Sequence, residues 1–257
     1  MKRVDLESGQ AAVETAITLP LTVFLVLGTL QLFMMLNGRL MAEHAAFKAV
    51  RTGVVKHGDC QSMTHSAVAA LLPSFSSFLG QATPGGTPAQ KIANAVRLRT
   101  QGMPYDNQYR PGLDAGHDRQ IVWIDRVKPR VGEVTALSEH DFDDYAPRAN
   151  GEIGYRLEVE LVYWFPMKIP FANWVMAAMF RAYFGLASRI GPVNPLINSQ
   201  KSNWTDEGAR LNARIGAEFE ALYALKQYSF PIKASYAMRM MTPPRRAYFA
   251  TQNCPHP

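Results

Sequence analysis

Residues 15–38 read TAITLPLTVFLVLGTLQLFMMLNG, a stretch without a single ionisable side chain. At about 1.5 Å of rise per residue, a helix of this length crosses a hydrocarbon layer of about 30 Å. It reads as a transmembrane helix, and the rest of the chain is interpreted around it. A cleavable secretory signal has an apolar core of only about 7 to 15 residues followed by a small-x-small cleavage site. Here the run is longer, and the NGRLMAEHAAFKAVRTG that follows stays compatible with a helix. Leu40, Met41, Ala45, Ala46, Ala49 and Val50 continue the helical pattern until Gly53. Taken as one helix, Gln10 to Thr52 spans roughly 65 Å, about twice the hydrocarbon thickness, so it projects well beyond the membrane. Pro20 is expected to cause a local kink at most.

Glu14 stands at the threshold of this run. A charge at the centre of a membrane helix costs about 2.5–3.5 kcal/mol on insertion scales, so its placement calls for a reason. Its neighbours supply one: basic residues Lys2 and Arg3, then Gly9, then Gln10-Ala11-Ala12-Val13-Glu14, then the apolar run. This arrangement resembles a type IV prepilin or pseudopilin signal. The wording GQAAVETAITLPLTVFLVLGTLQL followed by AAFKAVRTG is similar to the TadE-type pseudopilins of the tight-adherence (Tad) pilus. The chain departs from that pattern at Thr15, where an aromatic is common, and its domain is longer than the shortest members.

The resemblance implies a processing site at Gly9 and Gln10, cut on the cytoplasmic face by a prepilin peptidase. Glu14 then becomes the fifth residue of the mature chain, able to pair with the new amine at Gln10 of a neighbouring subunit. Small residues Ala11, Ala12 and Ala16 permit close helix approach. The implied partners are the membrane, the prepilin peptidase, other pseudopilins or pilin subunits and the pilus assembly machinery. The implied location is the bacterial inner membrane, single-pass, with the N-terminus cytoplasmic and the C-terminal domain periplasmic. Charge counting alone points the other way, since Arg39, Lys48, Arg51 and Lys56 outnumber Lys2 and Arg3, and here the leader takes precedence. The alternative is a single-pass envelope protein whose domain is a binding or scaffold module outside any filament.

With 257 residues the chain holds one sizeable domain, or a smaller one with an anchor. The net charge of +6 is scattered rather than clustered among aromatics, so nucleic-acid binding is not expected. The expected layout is a leader over 1–9, a transmembrane and extended helix over 10–53, and a periplasmic domain over 54–257 that is loop-rich at 80–120. The expected fold class is α+β, with a small antiparallel sheet packed against helices. GYRLEVELVYWF is the clearest strand: Tyr155, Leu157, Val159, Leu161, Tyr163 and Phe165 share one face, and Pro166 ends it. QIVWIDRV and FPIKASYAMRM are further strands, the latter alternating Ile232, Ala234, Tyr236, Met238 and Met240. DCQSMTHSAVAALLPSF reads as a short amphipathic helix. SNWTDEGARLNARIGAEFEALYALKQY carries Leu211, Ile215, Phe219 and Leu222 at helical spacing behind Asp206 and Glu207, and is expected to cover one face of the sheet. FANWVMAAMFRAYFGLA is too short to span; it reads as a buried or interfacial helix with Arg181 reaching out along its apolar stem, membrane-surface contact being the alternative.

Cys60 and Cys254 form no CxxC pair and read as two unrelated thiols. In an oxidising compartment a bridge from the start of the soluble domain to the tail is the alternative, provided the native geometry brings them together. His57, Asp59, Cys60 and His65 lie close together, but a second ligand pair exists only as Cys254 and His256 in a tail expected to fray, so no metal is assigned. Glu139, Asp141, Asp143 and Asp144 lack EF-hand spacing and read as a solvated loop. Asn203-Trp204-Thr205 matches a glycosylation acceptor that means little in a bacterium. A membrane-tethered hydrolase would have to use these histidines or carboxylates. Neither a nucleophile elbow, a P-loop nor a dinucleotide fingerprint is present, so neither an enzyme nor a cofactor is expected.

Overall fold

The computed structural model describes residues 7–74, 108–109, 119–134, 142, 155–184 and 213–254. The loop region at 80–120 falls largely outside the described residues, as do Glu139, Asp141, Asp143, Asp144, Asn203, Trp204, Thr205, Asp206, Glu207, Leu211 and His256. The fold is α+β. Helix α1 (Glu7–Val55) is followed by α2 (Cys60–Leu71), β1 (Gln108–Tyr109), β2 (Arg119–Gln120), β3 (Val122–Lys128), β4 (Arg156–Pro166), α3 (Ala172–Tyr183), α4 (Ala213–Ala224) and β5 (Ser229–Arg239). β1 and β2 form a short antiparallel ribbon, and β3, β4 and β5 form a three-stranded antiparallel sheet with β4 in the middle. Contacts divide the chain into two compact units: Met1–Leu36 with Pro166–Phe230, and Asn37–Phe165 with Pro231–Pro257.

In the sheet-bearing unit β4 follows the period-two reading. Tyr155, Leu157, Val159, Leu161, Tyr163 and Phe165 are buried and Arg156 is exposed. Val162 and Trp164 are buried as well, because this half of the central strand is covered on both faces, with Trp164 meeting Trp123 edge-on at 5.2 Å. On β5 the alternation fades after Ile232 and Ala234; Tyr236 is exposed and sets its ring edge-on to Phe47 of α1, 5.2 Å away.

The C-terminal part of α1 and helix α2 supply helical cover for the sheet. Ala42, Ala45, Ala46 and Ala49 are fully buried. Their spacing puts them on one helix face, and their size lets that face approach closely. Two glycines mark where the approach is tightest. A Cβ on Gly53 would lie 2.5 Å from Met63 Sδ and 2.6 Å from Leu157 Cδ2, and one on Gly38 would lie 2.6 Å from the Phe165 ring.

α1 ends in a turn in which Gly58 N donates to Gly53 O at 2.8 Å, and which requires a left-handed backbone at His57 (φ 56) and Gly58 (φ 82). The ring of Phe249 fills the space over Gly58, 2.6 Å from where a Cβ would sit. Gly58→Ala combines an unfavourable φ with a steric clash, and is expected to destabilise this unit by about 2–4 kcal/mol. Urea denaturation of the detergent-solubilised chain, followed by tryptophan fluorescence, measures this; an unchanged midpoint would mean the turn is not so constrained.

In the other unit α3 and α4 meet through aromatic and charged side chains. Arg181 Nε donates to Glu220 Oε1 at 2.6 Å, and its guanidinium lies 4.9 Å from the centroid of the Tyr223 ring. Arg181 therefore turns onto α4 instead of reaching out, because a carboxylate and an aromatic face within range hold a guanidinium better than an apolar stem does. Ile215, Gly216, Phe219 and Leu222 form the buried face of α4.

Candidate functional site

α1 is long and apolar enough to cross a membrane. Gly9, Gln10 and Glu14 all lie within it, near the start at Glu7. From Val13 to Leu36 most large apolar side chains are exposed, among them Ile17, Leu21, Leu25, Leu30 and Phe33. Such a surface is unfavourable in water at roughly 25 cal/mol per Å² and calls for lipid or other helices around it. Three hydroxyls in this stretch are satisfied within the helix itself: Thr18 Oγ1 donates to Glu14 O at 2.8 Å, Thr22 Oγ1 to Leu19 O at 2.9 Å and Thr29 Oγ1 to Val26 O at 2.8 Å. That is how threonine is accommodated in hydrocarbon. The helix continues through Pro20. Ala12, Thr15, Ala16, Leu19 and Pro20 line a shallow groove on α1, where the small side chains leave room for a neighbouring element.

A second constellation lies in the sheet-bearing unit and centres on Arg126, which the sequence reading did not single out. Its side chain is 2% exposed. Nε donates to Gln252 O at 3.1 Å, Nη1 to Tyr248 O at 2.8 Å and Gly58 O at 3.2 Å, and Nη2 to Thr251 O at 2.5 Å. The guanidinium also stacks over Phe249, 4.1 Å from the ring centroid. Burial lowers its pKa to about 10, opposed by the nearby Asp59 carboxylate, so it remains a cation at neutral pH. Gln252 ties the same segment down through its own amide: Nε2 donates to Arg126 O at 2.6 Å, and Oε1 accepts from Val131 N at 2.9 Å. Asn253 then bridges Asp125, and Cys254 N donates to Ile124 O at 3.1 Å, so the tail covers the open edge of β3.

The result corrects two expectations. Cys60 and Cys254 form a disulfide with a Cα–Cα distance of 5.4 Å, and the tail is held in place as far as Cys254. The burial of the arginine favours both. Its donors need acceptors once buried, the tail supplies backbone carbonyls, and these place Cys254 against the start of α2. The sequence did hold a signal for Arg126: it shares the parity of Val122 and Ile124 on β3, the face that goes inside.

The chemistry-bearing residues near the turn have structural partners. His57 Nδ1 lies 2.8 Å from Pro243 O. Asp59 caps α2, accepting from Ser62 N at 3.0 Å and Gln61 N at 3.3 Å. The Cys60 sulfur is engaged in the disulfide, and His65 is exposed. Among the described residues, no three His, Cys, Asp or Glu side chains gather in a way that could hold a metal ion.

Comparison with known proteins finds no match among curated proteins and none among solved structures. Residues 9–51, from Gly9 through the apolar run to Arg51, match the model of the family described as TadE-like protein.

Proposed function

We propose that this chain is a minor pseudopilin of a Tad-type (type IVc) pilus or a related secretion filament. It resides in the bacterial inner membrane with its N-terminus in the cytoplasm and its C-terminal domain in the periplasm. A prepilin peptidase cuts it between Gly9 and Gln10. The observation that carries this reading is the TadE-like match, which begins at Gly9 itself.

The two halves of α1 support it. The half containing Ile17 and Leu30 is exposed and apolar, while the half containing Ala42 and Val54 is built into the domain. Such a helix is covered by lipid before assembly and by neighbouring subunits' helices after it, which is how a membrane subunit passes into a fibre. Glu14 then acquires a partner in the free amine of Gln10 on a neighbour. The Cys60–Cys254 disulfide supports a domain outside the cytoplasm, where such bonds persist. The protein works by packing, without a cofactor or catalysis of its own, and meets catalysis only as the substrate of its peptidase.

Mass spectrometry of the N-terminus of protein recovered from membranes, with and without Gly9→Leu, tests the proposal. The expected result is a mature start at Gln10, abolished by the substitution. An intact Met1 in a strain with a working prepilin peptidase would overturn it and leave a single-pass envelope protein with a binding or scaffold domain.

A further inference from the structure

We propose that α3 is a lipid-contacting helix, its outward apolar face immersed in the same hydrocarbon that surrounds the membrane-spanning part of α1. The inference rests on reading residues 15–38 as the span.

Two contacts set the depth of α3. After Pro166 the chain runs along α1, where Ile169 N donates to Gln31 Oε1 at 3.1 Å, and Phe171 then meets Phe24 edge-on at 5.9 Å. Gln31 and Phe24 both belong to the stretch without ionisable side chains, roughly 12 Å and 22 Å of helix before Arg39. Whatever solvates α1 at Phe24 therefore also reaches the start of α3. Gln31 is fully buried, an amide within a stretch that carries no charge. Its carbonyl oxygen satisfies a backbone N–H in a segment that is not helical, as irregular backbone at membrane depth requires. Met167 N donates to Tyr228 O and Asn173 N to Ile169 O, extending the same provision on either side.

The composition of α3 fits this depth. Phe171, Trp174, Met179 and Tyr183 are exposed by 46, 50, 60 and 70%. On α3 itself Trp174, Met179 and Tyr183, with Val175, Ala178 and Ala182, make one continuous helical face that carries no Lys, Arg, His, Asp or Glu. Trp and Tyr with an apolar body and a polar tip suit the border of a bilayer. The one charge on the helix, Arg181, is paired with Glu220 and is not presented to lipid alone. At Phe171 the backbone adopts φ 69, a left-handed conformation rare for a bulky residue, and its ring rests against Phe24.

The test uses the full chain in phosphatidylcholine–phosphatidylglycerol vesicles. Its two cysteines are joined, so one introduced cysteine is the single reactive thiol. An environment-sensitive fluorophore is attached in turn at Met179→Cys, at Leu25→Cys on α1, and at Met241→Cys on the exposed surface of the sheet-bearing unit. The expected result is a roughly two-fold loss of emission with doxyl-labelled lipid at Met179 and Leu25, with little effect of aqueous iodide, and the reverse at Met241. Quenching of Leu25 by lipid but of Met179 by iodide would overturn the proposal and leave the spanning helix intact. Shielding of Met179 from both quenchers, with cross-linking between copies, would overturn it in favour of a subunit contact. Loss of lipid quenching at Leu25 and Met179 alike would remove the spanning helix itself and the proposal with it.

Discussion

Removing the Cys60–Cys254 bridge, by reduction or by replacing both cysteines with serine, is expected to lower the stability of the sheet-bearing unit by several kcal/mol and to free the tail. The bridge closes a loop with a sequence separation of 194. A cross-link over a loop of that length removes chain entropy from the unfolded state worth about 5 kcal/mol in the loop-closure picture. Native-state effects come on top: Cys254 is buried, and its backbone N–H bonds to Ile124 on β3. Denaturation midpoints with and without reductant give the size of the loss. Hydrogen exchange over 246–254 shows where it occurs. A tail that stays protected after reduction, with an unchanged midpoint, would show that the bridge merely records a proximity held by other contacts.

Arg126→Met is the second large effect, expected at about 3–5 kcal/mol. Methionine fills much of the volume but leaves the carbonyls of Gly58, Tyr248, Thr251 and Gln252 without the guanidinium donors that now serve them. A buried acceptor that loses its donor costs about 1–3 kcal/mol, less whatever water recovers. Arg126→Lys keeps the charge but not the planar fork, so it should fall between parent and Met, at about 2–3 kcal/mol. The arginine and the disulfide hold the same segment, so their losses should not add; a double-mutant cycle is expected to show coupling on the order of 1 kcal/mol or more. If Arg126→Met stays within about 0.5 kcal/mol of the parent, the tail is held by Gln252 and the disulfide alone.

Much of the fold was legible along the chain. The strand over Arg156–Pro166 followed from strict alternation, and α2 from its amphipathic spacing. Ile215, Phe219 and Leu222 were placed together by period and are buried together on α4. Spacing identifies the apolar face of α4 but not what that face meets. Ala45, Ala46 and Ala49 continue the helical pattern in the sequence; that they, with Ala42, let α1 supply cover depends on how closely backbones approach at Gly38 and Gly53. Of the candidate site, Gly9, Gln10 and Glu14 were read from the leader, while Gln31 escaped notice because an uncharged amide interrupts neither length nor charge.

What the sequence by itself determined is therefore what depends on neighbours a few residues away: a span without charge, a glutamate at its threshold, a glycine before it, and the periods of the strands and helices. Tertiary structure alone decided the partners of Arg126, the joining of two cysteines 194 positions apart, and the contact of Phe171 with Phe24. These depend on which backbone groups lack a partner after the elements have packed. Periodicity along a chain carries no record of that, because burial creates the demand for a hydrogen bond or a counter-charge, and only the folded arrangement says who is close enough to meet it.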